Sequence, residues 1–189
     1  MNNDKVRAFW AFEMPENLKK IIYFKSENLR KIREKIKWVE RENLHITAKF
    51  LGDSDRKILT KSFQEILSYF TDKKKIEFEI SLKGIFPNLS SPKVLWLGTK
   101  TENNEFTEYA KIIENILATY GFQKEKRDFK AHLTLGRVRE ISDLQAFLKE
   151  WDTLEVPENK FLCDKIVLFE SQLTKYGPVY KEVNAILLK

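Results

Sequence analysis

Asn43-Leu44-His45-Ile46-Thr47-Ala48-Lys49-Phe50-Leu51-Gly52 and, in the second half of the chain, Ala131-His132-Leu133-Thr134-Leu135-Gly136-Arg137 contain both histidines of the 189 residues. Each histidine is followed two positions on by threonine, across one apolar residue. With ten threonines in the sequence, chance would place Thr after both histidines in about 0.3% of arrangements. Both stretches are apolar and β-branched enough to form strands. On a strand, residues i and i+2 leave the same face about 7 Å apart. Each motif therefore presents one imidazole and one hydroxyl, while Ile46 and Leu133 turn into the core.

Outward from the motifs, the same order of elements occurs twice. Apolar runs and turn residues predict a strand at 6–12, a helix from 15 to about 35, strands at 38–39 and 44–51, a helix capped by Ser54 or Asp55 and reaching 70, and a strand at 76–86. The second half predicts a strand at 94–99, a helix at 105–120 closed by Gly121, and a strand at 131–138. A helix capped by Ser142 and running to 151, a strand at 161–170, a Gly177-Pro178 turn and a strand at 180–188 complete it. This is an α+β pattern and a structural duplication rather than a periodic repeat. No Pro-, Gly- or Ser-rich linker divides the chain, so residues 1–189 are expected to form a single two-lobed domain.

Two imidazoles and two hydroxyls brought together about a pseudo-two-fold axis suit a tetrahedral anion, for which phosphate is the natural occupant. Histidine titrates near neutrality, so a pair can act as general base and general acid in one turnover. Such a pair predicts a bell-shaped pH–rate curve.

Composition sets the limits. Lys and Arg number 34 against 28 Asp and Glu, a net charge of +6, and 42% of residues are apolar. That excludes intrinsic disorder and permits, without requiring, a phosphate-bearing partner. The single cysteine, Cys163, excludes an intramolecular disulfide, fits a reducing compartment and reads as a small buried apolar residue. The early run Ala8-Phe9-Trp10-Ala11-Phe12 is too short for a signal peptide or membrane span, so a cytoplasmic location is expected. Glycines are isolated, which leaves no phosphate loop or dinucleotide fingerprint, and no metal-ligand spacing is found, so neither cofactor nor metal is expected. The abundance of Lys, Glu and Ile hints at a thermophile.

The two motifs resemble the paired signatures of the two-histidine phosphoesterases. Arg7 to Phe12, Trp38-Val39, Gly84-Ile85-Phe86-Pro87, Val94 to Gly98 and Gly177-Pro178-Val179-Tyr180 are similar to the LigT-like RNA 2′,3′-cyclic phosphodiesterases within it, historically called 2′-5′ RNA ligases. The resemblance implies two pseudo-symmetric lobes, each an antiparallel sheet backed by helices, with the active-site cleft between the sheets. It further implies a monomer acting on RNA ends, tRNA fragments among them, and hydrolysis of a 2′,3′-cyclic phosphate to a 2′-phosphate without metal. By position, His45 matches the proton donor to the departing 3′-oxygen and His132 the acceptor that activates water, although the residues alone leave these roles interchangeable. Thr47 and Thr134 match phosphate-binding hydroxyls.

Arg137 matches an arginine near the phosphate, but strict alternation puts a residue five after His132 on the opposite face unless the strand bulges or ends. Phe50, five after His45, has two accounts: stacking on the terminal base, or core packing with Ile46 and Ala48. Lys124, Lys126, Arg127 and Lys130 read first as a solvated loop and second as an RNA path. Trp10, Trp38 and Trp96 read as core. Two other functions remain open at this stage: ligation of tRNA halves or cleavage of another cyclic or 2′-5′ linked nucleotide, and a non-catalytic RNA-end binding module.

Overall fold

The structure is a computed structural model, and it describes residues 4–175 and 177–189. The first half runs β1 (Lys5–Glu13), α1 (Glu16–Lys25), α2 (Glu27–Arg30), β2 (Lys35–Trp38), β3 (His45–Asp55), α3 (Arg56–Phe70) and β4 (Ile76–Phe86). The second runs β5 (Val94–Thr101), α4 (Glu105–Thr119), β6 (His132–Glu140), α5 (Leu144–Asp152), β7 (Lys160–Cys163), β8 (Lys165–Thr174) and β9 (Gly177–Leu187).

All strand pairs are antiparallel, in the order β7-β4-β5-β6-β3-β1-β8-β9, with β2 on β6. The halves exchange strands: β1 and β3 are completed by β8 of the second half, and β5 and β6 by β4 of the first. The two halves of the sheet meet through one residue pair, Ile46 with Leu133. β7 ends at Cys163 and β8 begins at Lys165, yet they lie near opposite ends of the strand order. The sheet therefore curls until its ends approach, and Leu188 N–H to Asp164 O and Lys75 N–H to Lys189 O close the gap.

One face of this sheet carries the core. On β1, Trp10 stacks on Phe63 of α3 and Phe12 meets Phe106 of α4 edge-on. α3 buries Leu59, Phe63, Ile66 and Phe70 at helical spacing. Its first turn is capped by the Asp55 carboxylate, which accepts from Lys57 N–H at 2.7 Å. Cys163 is fully buried here, and burial pushes its thiol up to about 12, consistent with a small apolar filler.

Several boundaries differ from those the sequence predicts. The helix expected over 15–35 stops at Lys25, because the buried Ser26 hydroxyl donates to Tyr23 O and accepts from Arg30 Nε. One further turn follows, and Ile36 and Trp38 then alternate as a strand against β6. The cap of α5 is Asp143, accepting from Ala146 N–H at 3.0 Å, because Ser142 is held by Glu34 through both its N–H and its hydroxyl. The strand expected at 161–170 is two strands broken at Asp164, since its parts pair with β4 and β1 in opposite halves of the sheet. Gly177-Pro178, expected as a turn, already belongs to β9.

Candidate active site

The Ile46–Leu133 bridge joins the middle residues of the two motifs. Because the strands are antiparallel, His45 lies across from Thr134 and Thr47 across from His132, all on the face opposite the core. The two rings are anchored alike. His45 Nδ1 donates to Asn43 O at 2.7 Å and His132 Nδ1 to Lys130 O at 2.6 Å. A carbonyl can only accept, so Nδ1 of each ring carries a proton and Nε2 turns to the open face, where the neutral form of the ring presents a lone pair. Thr47 Oγ1 lies 3.1 Å from His45 Nε2 and donates to it in that state.

Aromatic side chains wall both imidazoles in matching fashion. Phe9 of β1 and Phe169 of β8 stand 5.0 and 6.3 Å from the His45 ring, and Trp96 of β5 and Phe86 of β4 stand 6.0 and 5.4 Å from that of His132. Tyr180 of β9 adds an edge to His45 alone, at 5.4 Å. Trp96, expected in the core, thus lines the site, lying over Gly84 so closely that a Cβ there would stand 2.2 Å from its Cζ2. Trp10 is core as expected, and Trp38 is half-buried beneath the Arg30 guanidinium.

The extra wall has an electrostatic consequence. Burial lowers the His45 pKa to about 4; the Asn43 carbonyl opposes this, and the charges of Lys19, Arg137 and His132 add to it. At pH 7 the ring is neutral in the free protein. An anion in the site must raise this value, since it supplies the missing opposite charge. Because the chain has two histidines, their ring signals are assignable by single substitution. We expect His45 to titrate near pH 4 by NMR when free, and upward of that when a nucleoside 2′-monophosphate is added. Titration near the ordinary value of about 6.5 in the free protein would contradict the enclosure.

Arg137 and Phe50 owe their direction to irregular pairing. On β6, Thr134 pairs with Trp96 and Gly136 with Leu95, leaving Leu135 as an extra residue. On β3, Thr47 pairs with Ala11 and Lys49 with Trp10, leaving Ala48 extra. Each bulge lies three residues after its histidine and inverts the alternation. Arg137 then pairs with Val94, two residues from Trp96, and Phe50 pairs with Phe9, so both stand on the histidine face. The Phe50 ring is 5.9 Å from Phe9 and 58% exposed, which removes core packing as its account. Lys49 goes the other way: its side chain, 2% exposed, bonds Glu114 of α4, Gln123 O and Glu125.

Other cations gather at this face. Arg137 sits directly opposite Lys37 of β2, and among the described residues neither is in an ion pair. Burial pushes the Tyr180 phenol above its ordinary value, while the Arg137 and Arg7 charges act against that, which places both guanidiniums in range. Arg7, Phe9, Phe86 and Tyr180 lie in stretches that carry the family resemblance but are not marked there as site residues, and Phe169 carries no distinct signal in the sequence, where aromatic strand residues read as core. Among the described residues no group of three or more His, Cys, Asp or Glu is placed to hold a metal ion, and no helix is long and apolar enough to cross a membrane.

The family model for the LigT-like phosphoesterases matches this chain twice, over residues 13–96 and 97–180. The chain belongs to this family. The boundary between the two matches falls within β5, near the start of the second half. Among curated LigT-like relatives, the RNA 2′,3′-cyclic phosphodiesterase of Methanocaldococcus jannaschii is 36% identical over 95% of this chain and 99% of its own length. That of Archaeoglobus fulgidus is 39% identical over 79% and 82%. Solved structures share the fold: Escherichia coli LigT complexed with 3′-AMP superposes with a TM-score of 0.78 at 18% identity, covering 98% of this chain and 99% of that one. TT0787 of Thermus thermophilus gives 0.79 at 21% identity, covering 96% and 97%.

Proposed function

We propose that this LigT-like phosphoesterase hydrolyses RNA ends bearing a 2′,3′-cyclic phosphate to 2′-phosphates, without a metal ion, with His45 and His132 as acid and base. The observation that carries the reading is the Ile46–Leu133 bridge, which sets two Nε2 atoms and two hydroxyls on one face about a pseudo-two-fold axis. In-line displacement at phosphorus needs the attacking and departing oxygens on opposite sides. Two rings related by that axis meet the requirement. The names of the curated relatives agree with the substrate.

In this reading, His132 Nε2 takes a proton from water as its oxygen bonds to phosphorus. The bond to the 3′-oxygen breaks, and that oxygen receives the proton held by His45 Nε2. The proton on His132 then returns to solvent and His45 is reprotonated. Thr47 and Thr134 donate to the non-bridging oxygens, and the Arg137 guanidinium neutralises charge growing on them. Phe50 stacks on the terminal base, a contact indifferent to base identity.

The pKa of His45, about 4 in the free protein, has a definite kinetic sign. The donor must be protonated, so kcat/KM, which reports free protein, falls on the alkaline side beginning at lower pH than kcat, which reports the complex with its anion. The decisive experiment incubates the protein, in EDTA, with RNA ending in a 2′,3′-cyclic phosphate and separates 2′- from 3′-phosphate products. Exclusive 2′-phosphate is expected. A 3′-phosphate product would reverse the leaving group, loss of turnover in EDTA would remove the metal-free mechanism, and tight binding without turnover would leave a binding module.

A further inference from the structure

Two openings adjoin the histidine face, and they differ in charge. One, of 230 Å³, lies beside His45 and Tyr180 and is lined by Glu13, Glu42 and Glu182 against the single ammonium of Lys19. The other, a groove of 790 Å³, begins at Phe50 and continues along the segment after α4. Lys124, Lys126 and Arg127 line it, against Asp53 and Glu125. Both of these carboxylates face cations from elsewhere: Glu125 is bound at 3.0 Å by the buried Lys49, and Asp53 sits opposite Arg7 on the neighbouring strand. Among the described residues the Lys124 ammonium bonds a neutral partner, Asn115 Oδ1, at 2.6 Å. The groove thus keeps an unspent positive charge, whereas in the other opening Lys165 binds Glu13 and Glu182 at 3.2 and 2.6 Å, so three carboxylates face the two ammoniums of Lys19 and Lys165. Lys49 also grips Gln123 O at 2.7 Å, so the basic segment is tied to the strand that carries His45.

We infer that the body of the RNA, on the 5′ side of the reacting nucleotide, leaves the site past Phe50 and lies in this groove, its phosphates on Lys124, Lys126 and Arg127. This rests on the RNA-end reading above and extends it from the terminal nucleotide to its neighbours. Phe50 marks the junction. Its ring touches Phe9, which touches His45, on one side, and it opens onto the groove on the other. The protein would therefore read its substrate by single-strand charge rather than by sequence, with an affinity that weakens as salt releases the advantage of displaced counterions.

The test compares two substrates: a nucleoside 2′,3′-cyclic monophosphate, which has no upstream chain, and a short oligoribonucleotide with the same terminus. In the triple variant Lys124→Ala/Lys126→Ala/Arg127→Ala, kcat/KM for the oligonucleotide should fall about 10- to 100-fold. The slope of its logarithm against log salt should become shallower by about 2, the value for three single-strand phosphate contacts. Turnover of the mononucleotide should be unchanged. A control removing Lys20, Lys31 and Lys149, exposed lysines outside the groove, should leave both substrates unaffected. Equal losses on both substrates, or none on the oligonucleotide, would overturn the inference. If wild-type protein turns over neither substrate, the proposed reaction falls. The groove is then judged by the binding of the same oligonucleotide, which the triple variant must weaken and the control must not.

Discussion

His45→Gln and His132→Gln each lower kcat/KM by about 10²- to 10⁴-fold, the span that a general acid or base contributes. Glutamine retains a polar side chain of similar length but can neither hold nor release a proton at neutral pH. The rings are held by single carbonyls, Asn43 O and Lys130 O, and leave the sheet on the face away from the helices. The folded structure should therefore survive, with a melting curve close to wild type. The double variant should be little worse than the more damaged single one, because two groups that move a proton across one transition state act as a unit. The limbs of the pH profile assign the roles. Loss of the alkaline limb in His45→Gln makes His45 the donor; loss of the acidic limb makes it the base. Full activity in either variant would end the two-histidine mechanism.

Thr47→Val and Thr134→Val come next in size. A hydrogen bond to a charged phosphoryl oxygen contributes roughly 1.5–3 kcal/mol, so each replacement costs about 10- to 150-fold in kcat/KM. Valine keeps the β-branched shape and the strand preference, which limits the effect on folding. The two sites differ in one respect. Thr47 Oγ1 donates to neutral His45 Nε2 at 3.1 Å, whereas no such bond links Thr134 to His132 among the described residues. The Thr47 hydroxyl can donate to the neutral ring or accept from the protonated one, and the charge-assisted bond to the cation is the stronger. The His45 titration therefore rises no higher than about 4 in Thr47→Val and stays in place in Thr134→Val. Losses below about twofold in both variants would show that the hydroxyls do not hold the phosphate.

Much of this site was legible because strand alternation is local. His45 with Thr47, and His132 with Thr134, share a face for a reason contained in three consecutive residues. The fate of the fifth residue was not legible. Whether Phe50 and Arg137 stand with the histidines depends on Ala48 and Leu135 being extra residues against β1 and β5, a matter of pairing with strands distant in sequence. Sequence alternation alone had left Arg137 facing away and Phe50 undecided. Trp96 was misplaced for a related cause, since an aromatic residue in an apolar strand looks the same whether its partner is a helix or an imidazole.

The element boundaries divide along the same line. The cap of α3 by Asp55 and the closure of α4 at Gly121, which adopts a φ of +88°, follow from chemistry within one turn of helix. The end of α1 at Lys25 likewise follows from the local bonds of Ser26, whereas the strand at Lys35–Trp38 depends on β2 finding β6, and the break at Asp164 on β7 and β8 pairing with β4 and β1. By itself, then, the sequence determined the α+β class, the duplicated order of elements and the shared strand face of His45 with Thr47 and of His132 with Thr134, all through interactions spanning a few positions. Only the tertiary structure decided the strand exchange, the paired bulges, the aromatic walls and the neutral state of His45. Each of these arises between residues that meet in space after long separation along the chain, where periodicity and propensity carry no information.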